Sequence, residues 1–418
     1  MVQDRKDYVP KFNFHYYIEP LLMVEGKMQY LFDHKGNRYQ DWISGISTVS
    51  IGHSHPALVQ AVTEQAHTLG HISQIFLGNV QSVYAKMLCD KLGGDLDTVY
   101  LCNSGSEAND FAISLARIYT RRHNFLSLRN GYHGLVGNAG SVTNMPAWSG
   151  NVLRGNAHEK LSWPSKYRGL HKTVEALKQD ALEVINSNCG GKVAGMIFEP
   201  IQGIGGINTF VDGYIPMITE TVRNNGGLII ADEVQTGFAR IGTKYWGHKY
   251  YNFKPDIVTM AKGIANGLPL AAVATRKEIA KSMNYFFFNT TGGGNIQCRA
   301  AIEVIKAIDR EKLDVNSEVV GGYLLKELQR IAHGSKVIGD ARGAGLMIGI
   351  EIVKDKESKE PSKEICNEIL EKLRERWMLL GRGGAGANVL RLQPSLCMTM
   401  KDAEYFIHHF EDIVKSYK

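Results

Sequence analysis

A chain of 418 residues with 44% hydrophobic and 22% charged residues has the make-up of a folded protein larger than one typical core, so two packed domains are expected. Its 48 Lys and Arg against 42 Asp and Glu give a net charge of +6 without a basic block, which offers no footing for nucleic acid. Six cysteines without a C-x-x-C pair argue against disulfide or metal frameworks, and no apolar run approaches the ~18–20 residues of a membrane span. The opening MVQDRKDYVPKFNFHYY has neither a signal peptide's apolar core nor the Arg- and Ser-rich bias of a transit peptide. The expectation is a cytosolic protein, or one whose targeting segment has been removed.

In chain order, LFDHKGNRYQDW (31–42) predicts an antiparallel hairpin turning at Lys35-Gly36. TVYLCN (98–103) predicts a strand, followed by a helix opened by Gly105-Ser106-Glu107. NFLSL (124–128), VAGMIFEP (193–200), GLIIADE (227–233), DIVTMAK (256–262) and LAAVAT (270–275) are further strands, apolar on both faces. Such runs with helices between them predict a buried, largely parallel sheet in an α/β fold. The stretch 131–165, rich in Gly, Asn and Pro, reads as a long loop region of the kind that carries function. After about residue 310 the pattern shifts, with helices at 316–331, 362–376 and 401–416 around strands at 345–353 and 388–394. This predicts a smaller α+β domain over 311–418, a large domain over 61–310, and a segment 1–60 packing with the small one.

Two residues carry the chemistry. Asp232 closes the apolar strand LIIAD, and Lys262 follows thirty positions later at the end of another. Pyridoxal phosphate needs such a pair, a lysine to hold its aldehyde and a carboxylate to keep its ring nitrogen protonated. Taken singly, each has a plainer explanation: a turn aspartate, and a surface lysine reaching outward. Strand period places Val234 on the same side as Asp232, where it could pack on a flat ring. In NSGSEAND (103–110) the amides of Gly105 and Ser106 suit a phosphate, while Ser104 and Glu107 alternatively form a capping box. Gly381–Gly386 has G-x-G-x-x-G spacing, but strand-like NVLRLQP follows where a dinucleotide site needs a helix, so it reads as a flexible turn. His53 and His55 read as a turn, and His408-His409 as a helix surface pair.

With these residues in place the chain resembles the class-III pyridoxal-phosphate-dependent aminotransferases of fold type I, from residue 19 to the last helix. The resemblance rests on DWISGISTVSIGHSHP (41–56), NSGSEAN (103–109), GYHG (131–134), FEPIQGIGG (198–206), IADEVQTGFARIG (230–242), AKGIANGLPLAAV (261–273), ARGAGLMIGIEIV (341–353) and RLQPS (391–395). Within the family it is most similar to the mitochondrial alanine–glyoxylate type. The resemblance implies that Lys262 holds the cofactor, Asp232 its ring nitrogen and Gln235 its 3-hydroxyl. It implies that Tyr132 and Val234 flank the ring, and that Gly105 and Ser106 bind the phosphate with a threonine of a second copy, either Thr290 or Thr291, of which Thr291 is favoured by the small-small-Asn run after it. It also makes Arg391 the carboxylate-binding residue, Glu199 its switching partner, and Ile46 a pocket residue. The implied activity is ping-pong transamination between small amino and keto acids, in a homodimer or dimer of dimers, without nucleic acid or membrane. Phospho-lyases and other omega-aminotransferases share the same blocks, and a catalytically silent binding protein is the distant alternative. One departure is Thr291-Gly292-Gly293-Gly294-Asn295-Ile296, where the family has an aromatic residue after the threonine and a proline after the asparagine; three glycines loosen this backbone.

Overall fold

Residues 2–9, 15–149 and 157–417 are described by a computed structural model, in which three sheets organise the chain. Strands β1 (Met23–Lys27), β2 (Tyr30–Asp33) and β3 (Arg38–Asp41) form an antiparallel meander. The expected hairpin turn lies between β2 and β3. There the Asp33 carboxylate accepts from the Lys35 and Asn37 amides at 2.9 Å each, an aspartate-built turn.

The central sheet contains β4 (Thr98–Cys102), β5 (Phe125–Leu128), β6 (His158–Leu161), β7 (Gly195–Phe198), β8 (Leu228–Asp232), β9 (Ile257–Met260) and β10 (Ala271–Thr275). Their order is β4-β10-β9-β8-β7-β5-β6, with β10 alone antiparallel to its neighbours. Every residue of β5 and of β7 to β10 is buried, which is why these segments lack polar alternation. Ile197, Ile230 and Val273 enter one apolar cluster, and Met196, Ile229 and Ala272 the other, so successive side chains feed opposite layers. The helix Gly105–Thr120 packs across β7 to β10 on the first face.

The third sheet takes β11 (Ile338–Ala344), β12 (Met347–Ile352), β14 (Gly381–Gly383) and β15 (Val389–Leu392), all antiparallel, while β13 (Met378–Leu379) adds in parallel to β3 of the first. Helices Leu313–Gly334, Lys363–Arg374 and Met400–Lys415 accompany it. Together these are the large, mostly parallel sheet and smaller α+β unit of fold type I. Among the described residues no helix is long and apolar enough to cross a membrane.

Two expectations need correction. The stretch 131–165 is not all loop: it holds short helices Gly137–Val142 and Pro146–Ser149 and the strand β6, while residues 150–156 lie outside the described residues. β6 has only β5 beside it, so its sequence HEKL needs no apolar run and gives no strand signal. Likewise only the second half of the Gly381–Gly386 run turns; Gly381–Gly383 is the edge strand β14. A Cβ on Gly383 would lie 2.6 Å from Cδ of Arg391, so glycine is required by the close approach of that side chain.

Candidate active site

Because β5, β7, β8 and β9 run parallel, their C-terminal ends share one edge, the place where ligands bind in open α/β sheets. Asp232 is the last residue of β8 and is 3% exposed. Its Oδ2 accepts from Nδ2 of Asn109 at 2.9 Å and from Nδ1 of His133 at 2.7 Å, and its Oδ1 accepts from the Val234 amide at 3.1 Å. Asn109 also donates to the His133 carbonyl at 2.7 Å, tying the helix, the β5 loop and β8 together. Sequence reasoning singled out neither Asn109 nor His133. The available signal was a polar residue beside Ala108, Ala112 and Ile113 on a buried helix face, since a buried carboxylate needs donors.

Lys262 begins a 3₁₀ turn (Lys262–Ala265) two residues beyond β9, with φ at 49°. A lysine in this left-handed region is uncommon, and such conformations gather at functional sites. Asn266 fixes the turn, accepting from the Ile51 amide and donating to the Gly52 carbonyl, both at 2.9 Å. Burial lowers the Lys262 pKa, while the carboxylates of Asp232 and Glu199 oppose that shift. The net direction favours a free amine, the form that acts as nucleophile or base.

The helix Gly105–Thr120 points its N-terminus at the same edge. Ser104 caps it, accepting from the Glu107 amide at 3.2 Å. Glu107 does not complete a capping box on Ser104; it accepts from the Asn103 amide at 2.8 Å, one residue earlier. First-turn amides have no intrahelical acceptor, so those of Gly105 and Ser106 are suited to an anion. Gly134, at φ +139°, lies so close to this turn that a Cβ would meet Oγ of Ser106 at 2.5 Å.

These elements enclose a cavity of about 300 Å³. Of the residues expected at the site, Gly105, Ser106, Tyr132, Glu199, Asp232, Val234, Gln235 and Lys262 line it. Arg391 lies behind Gln235, fully buried, with its Nη2 donating to Oε1 of Gln235 at 3.2 Å. Ile46 does not line the cavity: it is 39% exposed with φ at 66°, and Thr48 of the same segment reaches the wall instead. Thr291 is also outside, exposed, with Oγ1 3.5 Å from Oδ1 of Asn103. His53 and His55 bond to Asp41 and Glu311, at 2.8 and 3.1 Å.

The expected contact between Glu199 and Arg391 is not formed in this state. Oε1 of Glu199 accepts from the Tyr132 amide at 3.1 Å and Oε2 from the Gly203 amide at 2.7 Å. No ion pair joins it to Arg391 among the described residues. Burial raises the Glu199 pKa to about 7, with Asp232 adding to the rise and His133 and the two amides opposing it. The folded protein therefore binds this proton more tightly than the unfolded chain between about pH 4.5 and 7, so stability falls as pH climbs through that window, by on the order of 3 kcal/mol. Glutamine cannot titrate. The melting temperature of cofactor-free Glu199→Gln, measured against the parent protein, is expected to improve from pH 5 to about pH 7 and to level off above it. Parallel curves would refute it.

The donor set fits pyridoxal phosphate. Oδ1 of Asp232 accepts one bond and has capacity for another, as a protonated ring nitrogen requires. Nε2 of His133 and Oδ1 of Asn109 are buried without partners beside it, marking a polar pocket built for more than the chain itself supplies. The helix N-terminus suits a phosphate, and Lys262 suits an aldehyde.

Fold and site define a pyridoxal-phosphate-dependent transferase of fold type I. The family model for class-III aminotransferases matches residues 15–414, and the chain belongs to that family: it is a transaminase. It is 41% identical over 409 residues to an Arabidopsis thaliana protein named alanine–glyoxylate aminotransferase 2 homolog 2, mitochondrial, covering 97% of this chain and 85% of that one. It is 37% identical to a Caenorhabditis elegans ethanolamine-phosphate phospho-lyase homolog 1, over 95% and 89% of the two chains. Among solved structures it is similar to an omega-transaminase from Thermomicrobium roseum, with a TM-score of 0.91, 31% identity and coverage of 100% and 98%. An Arthrobacter phospholyase in complex with phosphoethanolamine has the same TM-score at 30% identity, with both chains fully covered.

Proposed function

We propose that the enzyme moves an amino group from L-alanine, or a related amine such as 3-aminoisobutyrate, to glyoxylate or pyruvate in two half-reactions. The observation that carries this reading is Arg391, a buried guanidinium adjoining the Lys262 cavity whose Nε and Nη1 have no partner, as a site for a small carboxylate requires. Similarity to proteins named for alanine and glyoxylate supports it. Bound pyridoxal phosphate supplies an electron sink for the pair left when the substrate α-carbon loses its proton. Lys262 takes that proton and returns it to the carbon on the far side of the transferred nitrogen, which its amine can do because burial keeps it from holding a proton too tightly. Asp232 keeps the ring nitrogen protonated, Tyr132 and Val234 hold the ring between them, and Gln235 donates to the ring oxygen. Gly105 and Ser106 anchor the phosphate, joined by Thr291 of the partner subunit.

A homodimer is part of this reading. Phe76 (62% exposed), Leu77 (103%) and Phe286 (97%) are large apolar side chains left open, and Gln74 bonds the Gly292 carbonyl, linking both loops beside Thr291. Mitochondrial residence is proposed from the relatives' names.

Added alone, L-alanine is expected to release one equivalent of pyruvate per site, and glyoxylate added afterwards to yield glycine. The phospho-lyase relatives give the second reading, in which phosphoethanolamine releases inorganic phosphate without any keto acid. Phosphate release with no pyruvate from alanine would overturn the transaminase assignment of substrates.

A further inference from the structure

Arg391 and Gln393 stand two residues apart at the end of β15, and Gln393 is fully buried. Their side chains close a ring with Gln235. Nη2 of Arg391 donates to Oε1 of both glutamines, and Nε2 of Gln393 donates to Oε1 of Gln235 at 2.9 Å. The direction of each bond follows from one fact: a guanidinium only donates. Oε1 of Gln393 must face it, so Nε2 of Gln393 faces Gln235, and Oε1 of Gln235 turns back to receive it. The Gln235 amide nitrogen is thereby left outside this hydrogen-bonded loop, on a residue that lines the cavity.

Gln393 is itself fixed from behind. Its backbone amide donates to the Trp42 carbonyl at 2.8 Å, and its backbone carbonyl accepts from Oγ of Ser44 at 2.6 Å. Both partners of Arg391 are neutral, so they hold its plane without cancelling its charge, and they leave Nε and Nη1 unused.

We propose that Gln393 is a positioning residue with two effects: it turns the Gln235 amide nitrogen toward the cofactor oxygen, and it fixes the Arg391 guanidinium with Nε and Nη1 left unpaired for a substrate carboxylate. The site thus takes carboxylate-bearing substrates in both half-reactions, with no acidic residue to displace first. This rests on the roles given above to Gln235 and Arg391.

The test uses Gln393→Leu, which removes both bonds at similar volume, and Gln393→Glu, which still accepts from Arg391 but cannot donate to Gln235. Pyridoxal phosphate affinity, read by titration of cofactor-depleted enzyme, is expected to weaken about tenfold in both, the size of one lost buried hydrogen bond. In Gln393→Glu the new negative charge is expected to raise KM for alanine about a hundredfold with a smaller change in kcat, while KM for a primary amine without a carboxylate stays within about twofold. Unchanged cofactor affinity in both variants, or equal KM changes for the two substrates, overturns the proposal. Arg391→Ala serves as reference: if it does not discriminate the two substrates, the role of Arg391 is wrong, and the cofactor titration still decides the Gln235 half. Gln393→Met replaces the leucine variant if that chain does not fold.

Discussion

Lys262→Ala is expected to lose turnover by about a thousandfold or more, and with it the visible absorption of the bound cofactor, while the protein stays folded. Among the described residues Lys262 is the one lysine lining the cavity, so no neighbouring amine can take over the proton transfer proposed for it. Alanine inherits the left-handed backbone at this position, whose cost of roughly 1–2 kcal/mol the parent lysine already bears, so the melting temperature should change little. The truncation leaves room for a small amine, and added ethylamine is expected to restore part of the rate. A variant that retained full turnover would end the assignment of Lys262, and one with no rescue but a collapsed melting curve would point to a structural role.

The second large effect belongs to Asp232. Its carboxylate holds Asn109, His133 and the Val234 amide at once, so Asp232→Ala strips acceptors from three donors, two of them on buried side chains. Each orphaned buried donor costs roughly 1–3 kcal/mol, so a clear drop in melting temperature is expected. Turnover is expected to fall by about a thousandfold as well, because the electron sink weakens once the ring nitrogen loses its counter-charge. Asp232→Asn separates the two consequences. It keeps the volume but is neutral, and one of its amide faces must oppose a donor. It should recover much of the stability and little of the rate. Recovery of both would show that the charge is not what matters.

Much of this was legible before any coordinates. The strands with fully buried residues announce themselves as apolar runs, and the two chemical residues sit where those runs end. What escaped was of two kinds. β6 and β14 are edge or glycine-rich strands whose stability comes from a single neighbour, so their side chains carry no pattern. His133, Asn109 and Gln393 act through hydrogen bonds to residues far along the chain, and spacing in sequence says nothing about such partners. The resemblance supplied an acid–arginine contact, yet the backbone amides of Tyr132 and Gly203 hold that acid elsewhere, which no motif encodes.

The bonds from Asn266 to Ile51 and Gly52, and from Ser44 to the Gln393 carbonyl, have a consequence for how the enzyme comes into being. The lysine turn is pinned by a segment synthesised long before it, and the arginine strand by that same segment long after. Loop closure over such separations is slow, and early chains lack the last member altogether. On the ribosome the central sheet and the cavity it carries can form before the strand bearing Arg391 is made, so competence to hold a substrate carboxylate should emerge last, once that strand docks.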